Sequence, residues 1–201
     1  MDRTFGRTYT LSLNKQNLIK TVPPLLLPDR FILPGSNVAD LNQDGQPELI
    51  SINNEGVSIF SGAAKVYFSN GEKGGSLSTI SYYQNPGMEG SLFKTDSLEI
   101  QPTISDIDGD GIPELLLVGS ETTVLKAPGI GPGIEKSWIT ALKYANGGYR
   151  KGLLKFQREN PLQGLWAEEG KTIIAETMTT SSFNQKGRTN FFLYSLDKDS
   201  R

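Results

Sequence analysis

The sequence predicts an all-β protein assembled from repeated strand-and-turn units. An acidic loop occurs twice, beginning at Asp40 and at Asp106, 66 residues apart. Each copy leads into a short apolar run, at 48–52 or 114–118, that ends in turn-forming residues. Such runs read as strand and hairpin rather than helix. Twenty-two glycines and 11 prolines in 201 residues suit a turn-rich β protein. Self-similarity at a fixed interval marks a modular architecture.

Residues 8–13 alternate polar and apolar side chains and read as a strand. Having no acidic loop of their own, they are expected as the outer strand of an incomplete or closing unit. Residues 23–34 form a proline-rich connection. The first loop-bearing unit is 36–61: a lead-in at 36–39, the loop, a strand at 48–52, a turn at 53–56 and a return strand at 57–60. Further strands are expected at 65–68 and 78–83, separated by the turn-rich 69–75, with another turn at 85–90.

The second unit, 100–126, follows the same order. Its lead-in is 102–105, its strand 114–118, its turn 119–121 and its return strand 122–125. The Gly/Pro loop at 128–133 lacks the Gly-Lys-Ser/Thr and following helix of a phosphate cradle. A strand at 138–144 then meets a hairpin turn at 146–148. The third unit is degenerate. Residues 164–170 fall where the next loop is due, shortened, and Glu168 and Glu169 do not reproduce the ligand spacing. No metal is expected there. Strands at 171–177 and 190–195 follow, and the polar tail from Asp197 is expected to fray.

The chemistry resides in the two loops. Counting from Asp40, oxygen side chains fall at positions 1, 3, 5 and 9: Asp40, Asn42, Asp44 and Glu48. Counting from Asp106, they are Asp106, Asp108, Asp110 and Glu114. Alternate residues can converge their oxygens on a hard cation, Ca²⁺ being the best candidate. Gly45 and Gly111 at position 6 permit the sharp turn. Position 7, Gln46 or Ile112, would give its main-chain carbonyl, and Pro47 or Pro113 would hold that residue extended. An EF-hand needs a bidentate Glu at position 12; Ser51 and Leu117 stand there, which excludes it and argues against a dockerin. The second loop carries one more carboxylate, so ligand charge alone makes it the tighter site.

These residues resemble the FG-GAP/VCBS repeats of integrin-like β-propellers, whose pattern is a strand, D-x-[DN]-x-D-G-x-x-[DE]-L, a second strand, a hairpin and a third strand. The resemblance covers residues 34–62 and 100–127. It implies blades of four antiparallel strands with Ca²⁺ in the first inter-strand loop. Extrapolating the period gives about three blades, at 34–99, 100–163 and 164–196, after an N-terminal strand and connection at 1–33. A closed propeller typically has 4–8 blades. Ring closure therefore implies a longer parent chain, self-association, or another subunit covering the open faces.

Composition narrows the function. Formal net charge is −2, which two Ca²⁺ would bring to +2, so no basic excess points to nucleic acid. Cysteine is absent, which excludes disulfides and thiolate chemistry. Histidine is absent too, removing the commonest general base, the usual Ser/His/Asp triad and the standard ligands of catalytic zinc. Glu168/Glu169 and Asp96/Glu99 are the remaining paired acids and read as solvated surface charge. No apolar run reaches transmembrane length. Residues 1–7 lack an apolar signal region, so export would rest on a signal already removed, in a precursor, or outside this sequence.

The sequence is thus read as a non-enzymatic, Ca²⁺-stabilised structural or interaction module, placed extracellularly, at the cell surface or in the periplasm, where Ca²⁺ is abundant. A protein partner or self-association completes the ring. The alternatives are a glycan-binding propeller, using Trp138, Trp166, Tyr82, Tyr83 or Tyr149 to stack on sugars, and a propeller scaffold of a secreted hydrolase or lyase.

Overall fold

The computed structural model describes residues 8–22, 27–28, 31–53, 56–70, 79–83, 93–122, 134–168, 171–179 and 187–195. Among them there is no helix, hence none long and apolar enough to cross a membrane. β1 (Thr10–Asn14) and β2 (Asn17–Thr21) form an exposed hairpin. β3 (Ser36–Ala39), β4 (Glu48–Asn53), β5 (Gly56–Ser61) and β6 (Ala64–Ser69) form a four-stranded sheet in chain order. β7 (Thr79–Tyr83) and β8 (Phe93–Ser97) pair with each other. β9 (Thr103–Ser105), β10 (Glu114–Thr122), β11 (Ile134–Ala145) and β12 (Gly148–Arg158) make the second four-stranded sheet. β13 (Leu162–Glu168), β14 (Lys171–Thr179) and β15 (Gly187–Ser195) make a three-stranded one. Every described pairing is antiparallel.

The second sheet is buried on both faces. Leu115 and Leu117 of β10 join Ile50, Ile52, Val57 and Ile59 of the first sheet in one apolar cluster. The alternate residues, Leu116 and Val118, join Leu162, Ala167 and Ile174 of the third sheet in another. Strands alternate their side chains between faces, so a strand covered on both sides needs an unbroken apolar run. Residues 115–118 supply it. At the two ends of the stack some apolar side chains are exposed: Val38 and Phe68 at the margins of the first sheet, whose Leu49, Ser51 and Ser58 on the same face are buried, and Trp166, Phe191 and Leu193 on the third.

The first strands of successive sheets are bonded to one another. Asn37 Nδ2 donates to the Pro102 carbonyl at 2.8 Å, and Thr103 Oγ1 donates to the Leu165 carbonyl at 3.1 Å. The turn between β11 and β12 is the expected one at 146–148. Asn146 (φ 53°) and Gly147 (φ 78°) both adopt positive φ, the conformation that suits a two-residue hairpin.

Three local expectations are corrected. Residues 119–121 do not turn: β10 continues to Thr122, with a register shift against β11 only between Glu121 and Thr122, and Gly119 instead leaves room for the Trp138 ring opposite it. Residues 164–168 belong to strand β13 rather than a shortened loop, because their register with β14 carries Leu162 and Ala167 into the core. The first strand gains a partner, β2, where only 8–13 was expected. The turn at 85–90, the loop at 128–133, residues 1–7 and 123–125, Glu169 and the tail from Asp197 lie outside the described residues.

Candidate metal centre

Each acidic loop links the first two strands of a four-stranded sheet: β3 to β4 and β9 to β10. The position-2 residues, Leu41 and Ile107, are buried in the two apolar clusters and pin the loops to the core. Gly45 (φ 85°) and Gly111 (φ 88°) hold the left-handed conformation that an L side chain resists.

The two loops share a hydrogen-bond lattice. The position-1 carboxylate accepts from the amides at positions 5 and 6: Asp40 from Asp44 and Gly45, Asp106 from Asp110 and Gly111. The position-3 oxygen accepts the position-5 amide, and the position-5 carboxylate accepts the position-7 amides of Gln46 and Ile112. Glu48 and Glu114 reach back to the position-2 amides of Leu41 and Ile107, at 2.8 and 2.9 Å. Sequence spacing thus becomes a folded ring whose acids are positioned by main-chain donors. The rings also touch: Gln43 Nε2 donates to the Gly111 carbonyl at 2.6 Å.

Their charged centres differ. In the second loop, Asp106, Asp108 and Glu114 offer oxygens within 4.8 Å of one another, a grouping that could hold a metal ion. The Lys143 ammonium lies against this group, 2.8 Å from Asp108, 2.7 Å from Asp110 and 2.6 Å from Glu114. Burial works against the charge on Lys143, but its hydrogen bonds to the three carboxylates prevail and raise its pKa above the ordinary lysine value. The same contact lowers the pKa of Asp110, with help from the Ile112 amide.

In the first loop, Asn42 Nδ2 donates to Asp44 at 2.9 Å. Glu48 is fully buried, and its Oε1 has no hydrogen-bond partner. Burial raises the Glu48 pKa; the Leu41 amide opposes this, while the charges of Asp44 and Asp40 add to it. The Tyr149 phenol from the second sheet also feels this loop. Its hydroxyl is buried without a hydrogen-bond partner, and burial and the Glu48 charge raise its pKa.

Of the predicted oxygens, the structure groups Asp106, Asp108 and Glu114 within 4.8 Å of one another, while among the described residues Asp40, Asp44 and Glu48 form no such group; Gln46 and Ile112 at position 7 are amide donors. The loop spacing does not single out Lys143, and the sequence marks Tyr149 only as a sugar-stacking candidate, not as a neighbour of the first loop. The only sequence signal for Lys143 is cross-strand register, which sets it opposite Glu114. Of the aromatic candidates, Trp138 packs on Gly119, Tyr149 lies against the first core cluster, and Trp166 is exposed. The side chains of Tyr82 and Tyr83 lie outside the described set. Comparison with protein-family models, curated proteins and solved structures finds no match.

Proposed function

We propose that this chain is a non-enzymatic, Ca²⁺-stabilised structural and interaction module of the FG-GAP/VCBS propeller type, acting outside the cytoplasm. The observation that carries the reading is the lattice repeated in two loops, together with a buried Glu48 oxygen that lacks a donor. An oxygen-only donor set suits a hard divalent cation. Asp40, Asn42, Asp44 and Glu48 would hold it in the first loop, with the Gln46 carbonyl. Asp106, Asp108, Asp110 and Glu114 are their counterparts in the second, with the Ile112 carbonyl. The ion would supply charge neutralisation and tie each loop to its following strand.

The stacked sheets, bonded through their first strands, support a propeller-like arrangement of blades. The exposed apolar face of the third sheet supports the partner half of the proposal. Trp166 shares its exposed sheet face with Phe191 and Leu193, a surface better suited to another protein than to a polar sugar. Sites of ~10⁻⁴–10⁻³ M affinity would fill outside cells and stay empty in a low-Ca²⁺ cytosol.

Size-exclusion chromatography with light scattering tests this, run in ~2 mM Ca²⁺, above the usual range of extracellular sites, and again in EGTA. The expected result is a defined oligomer that loosens in EGTA, with a lower melting temperature. A monomer whose mass and melting ignore EGTA would overturn the reading.

A further inference from the structure

We propose that Lys143 is the built-in cation of the second loop, and that the first loop alone takes Ca²⁺ in the native chain. The inference rests on the metal reading of the loops but reverses the order of affinity that ligand charge gives.

The geometry is that of an occupied site. A single ammonium meets the acids at positions 3, 5 and 9 of the loop, all within 2.8 Å. Asp108 and Glu114 belong to the group whose spacing could hold a metal ion. Glu114 is nearly buried, so its charge has little water to answer it. Lys143 reaches it from the adjacent strand, directly across the β10–β11 pairing. Being tethered, the ammonium meets the loop without the entropy loss of capturing a free ion. A Ca²⁺ entering there must first expel that ammonium and then tolerate a positive charge held close by.

Among the described residues the first loop shows no such device. Leu49 lies opposite Phe60, so the same register sets Ser61 beside Glu48, where the second sheet has Lys143. Serine carries no charge. Glu48 stays fully buried with Oε1 lacking a donor, beside the Asp40 and Asp44 charges. Among the described residues, one loop therefore has an internal counter-charge and the other has none.

Ca²⁺ titration by calorimetry on the intact chain decides the matter, comparing the native protein with Lys143→Gln, Asp44→Asn and the control Lys136→Gln, which alters an exposed lysine on the same strand. We expect one Ca²⁺ per native chain and none after Asp44→Asn. Lys143→Gln should bind two and Lys136→Gln one. Two native sites unchanged by Lys143→Gln would overturn the inference and leave the metal reading intact. A native chain that binds none, with Lys143→Gln binding one, would uphold Lys143 and sink the first-loop site. If neither binds Ca²⁺, the metal reading fails, and melting in EGTA decides for Lys143. A fall of several degrees in Lys143→Gln but not Lys136→Gln upholds the internal cation, because the three carboxylates then lose their counter-charge. Equal melting of the two variants overturns it.

Discussion

Asn37 and Thr103 hold the same place in two successive units, each three residues before its acidic loop, and each donates a side-chain hydrogen bond to a carbonyl in or just before the first strand of another sheet. The pairing is functional rather than chemical: an amide in one unit and a hydroxyl in the other reach Pro102 and Leu165. Both bonds link first strand to first strand, while the apolar clusters fill the space between the sheets.

Removing either donor should loosen one sheet interface and spare the other. Asn37→Ala and Thr103→Val should each cost about 1 kcal/mol, the net worth of one intramolecular hydrogen bond. Urea unfolding followed by fluorescence would read this. No change in midpoint for either variant would show that the stack is held by apolar contact alone.

Glu48→Gln should change sign with the metal. Without Ca²⁺, a buried carboxylate with one unpartnered oxygen lies near Asp40 and Asp44. Glutamine keeps an acceptor for the Leu41 amide, removes the charge and adds donors for the neighbouring acids. In EGTA the variant should be more stable than the native chain by about 1–3 kcal/mol, the scale of an unsatisfied buried group. In Ca²⁺ the order should reverse, since glutamine is the poorer ligand. Thermal unfolding in both buffers gives the four values, and parallel shifts would refute the idea.

Much of this was legible because it is local. Loop spacing, the Asn146-Gly147 turn and the apolar run 115–118 each lie within ten residues of chain. What escaped depends on register across strands. Lys143 is one of 20 basic residues, and only its place opposite Glu114 marks it. Gly119 carries the signature of a turn, yet its missing side chain serves the Trp138 ring on the next strand. Residues 164–168 sit where the period calls for a loop, but Leu162 and Ala167 have a core to fill.

Gly119→Ala should expose that conflict. A Cβ there would lie 2.5 Å from Trp138 Nε1 and 2.8 Å from Cε2. The ring must move, at a cost of about 1–3 kcal/mol for overpacking. Trp138 is one of only two tryptophans, so intrinsic fluorescence should shift along with the lower melting temperature. An unchanged spectrum would mean that the ring has free space elsewhere.

The open face of the third sheet should separate folding from assembly. Leu193 is 64% exposed, whereas Leu116 inside the stack is fully buried. Leu116→Ala should cost about 2–5 kcal/mol, the range for truncating a core leucine. Leu193→Asp should change monomer stability by no more than about 0.5 kcal/mol, as for ordinary surface substitutions. Yet it places a charge beside Phe191 on the apolar face of the edge strand β15 itself, the arrangement that invites association. If this face meets a second copy, Leu193→Asp should dissolve the Ca²⁺-dependent oligomer in light scattering while leaving the melting of the dilute monomer in place. An oligomer that survives the substitution must be joined elsewhere, with the first sheet's Val38 and Phe68 face the next to be tested by the same aspartate substitution.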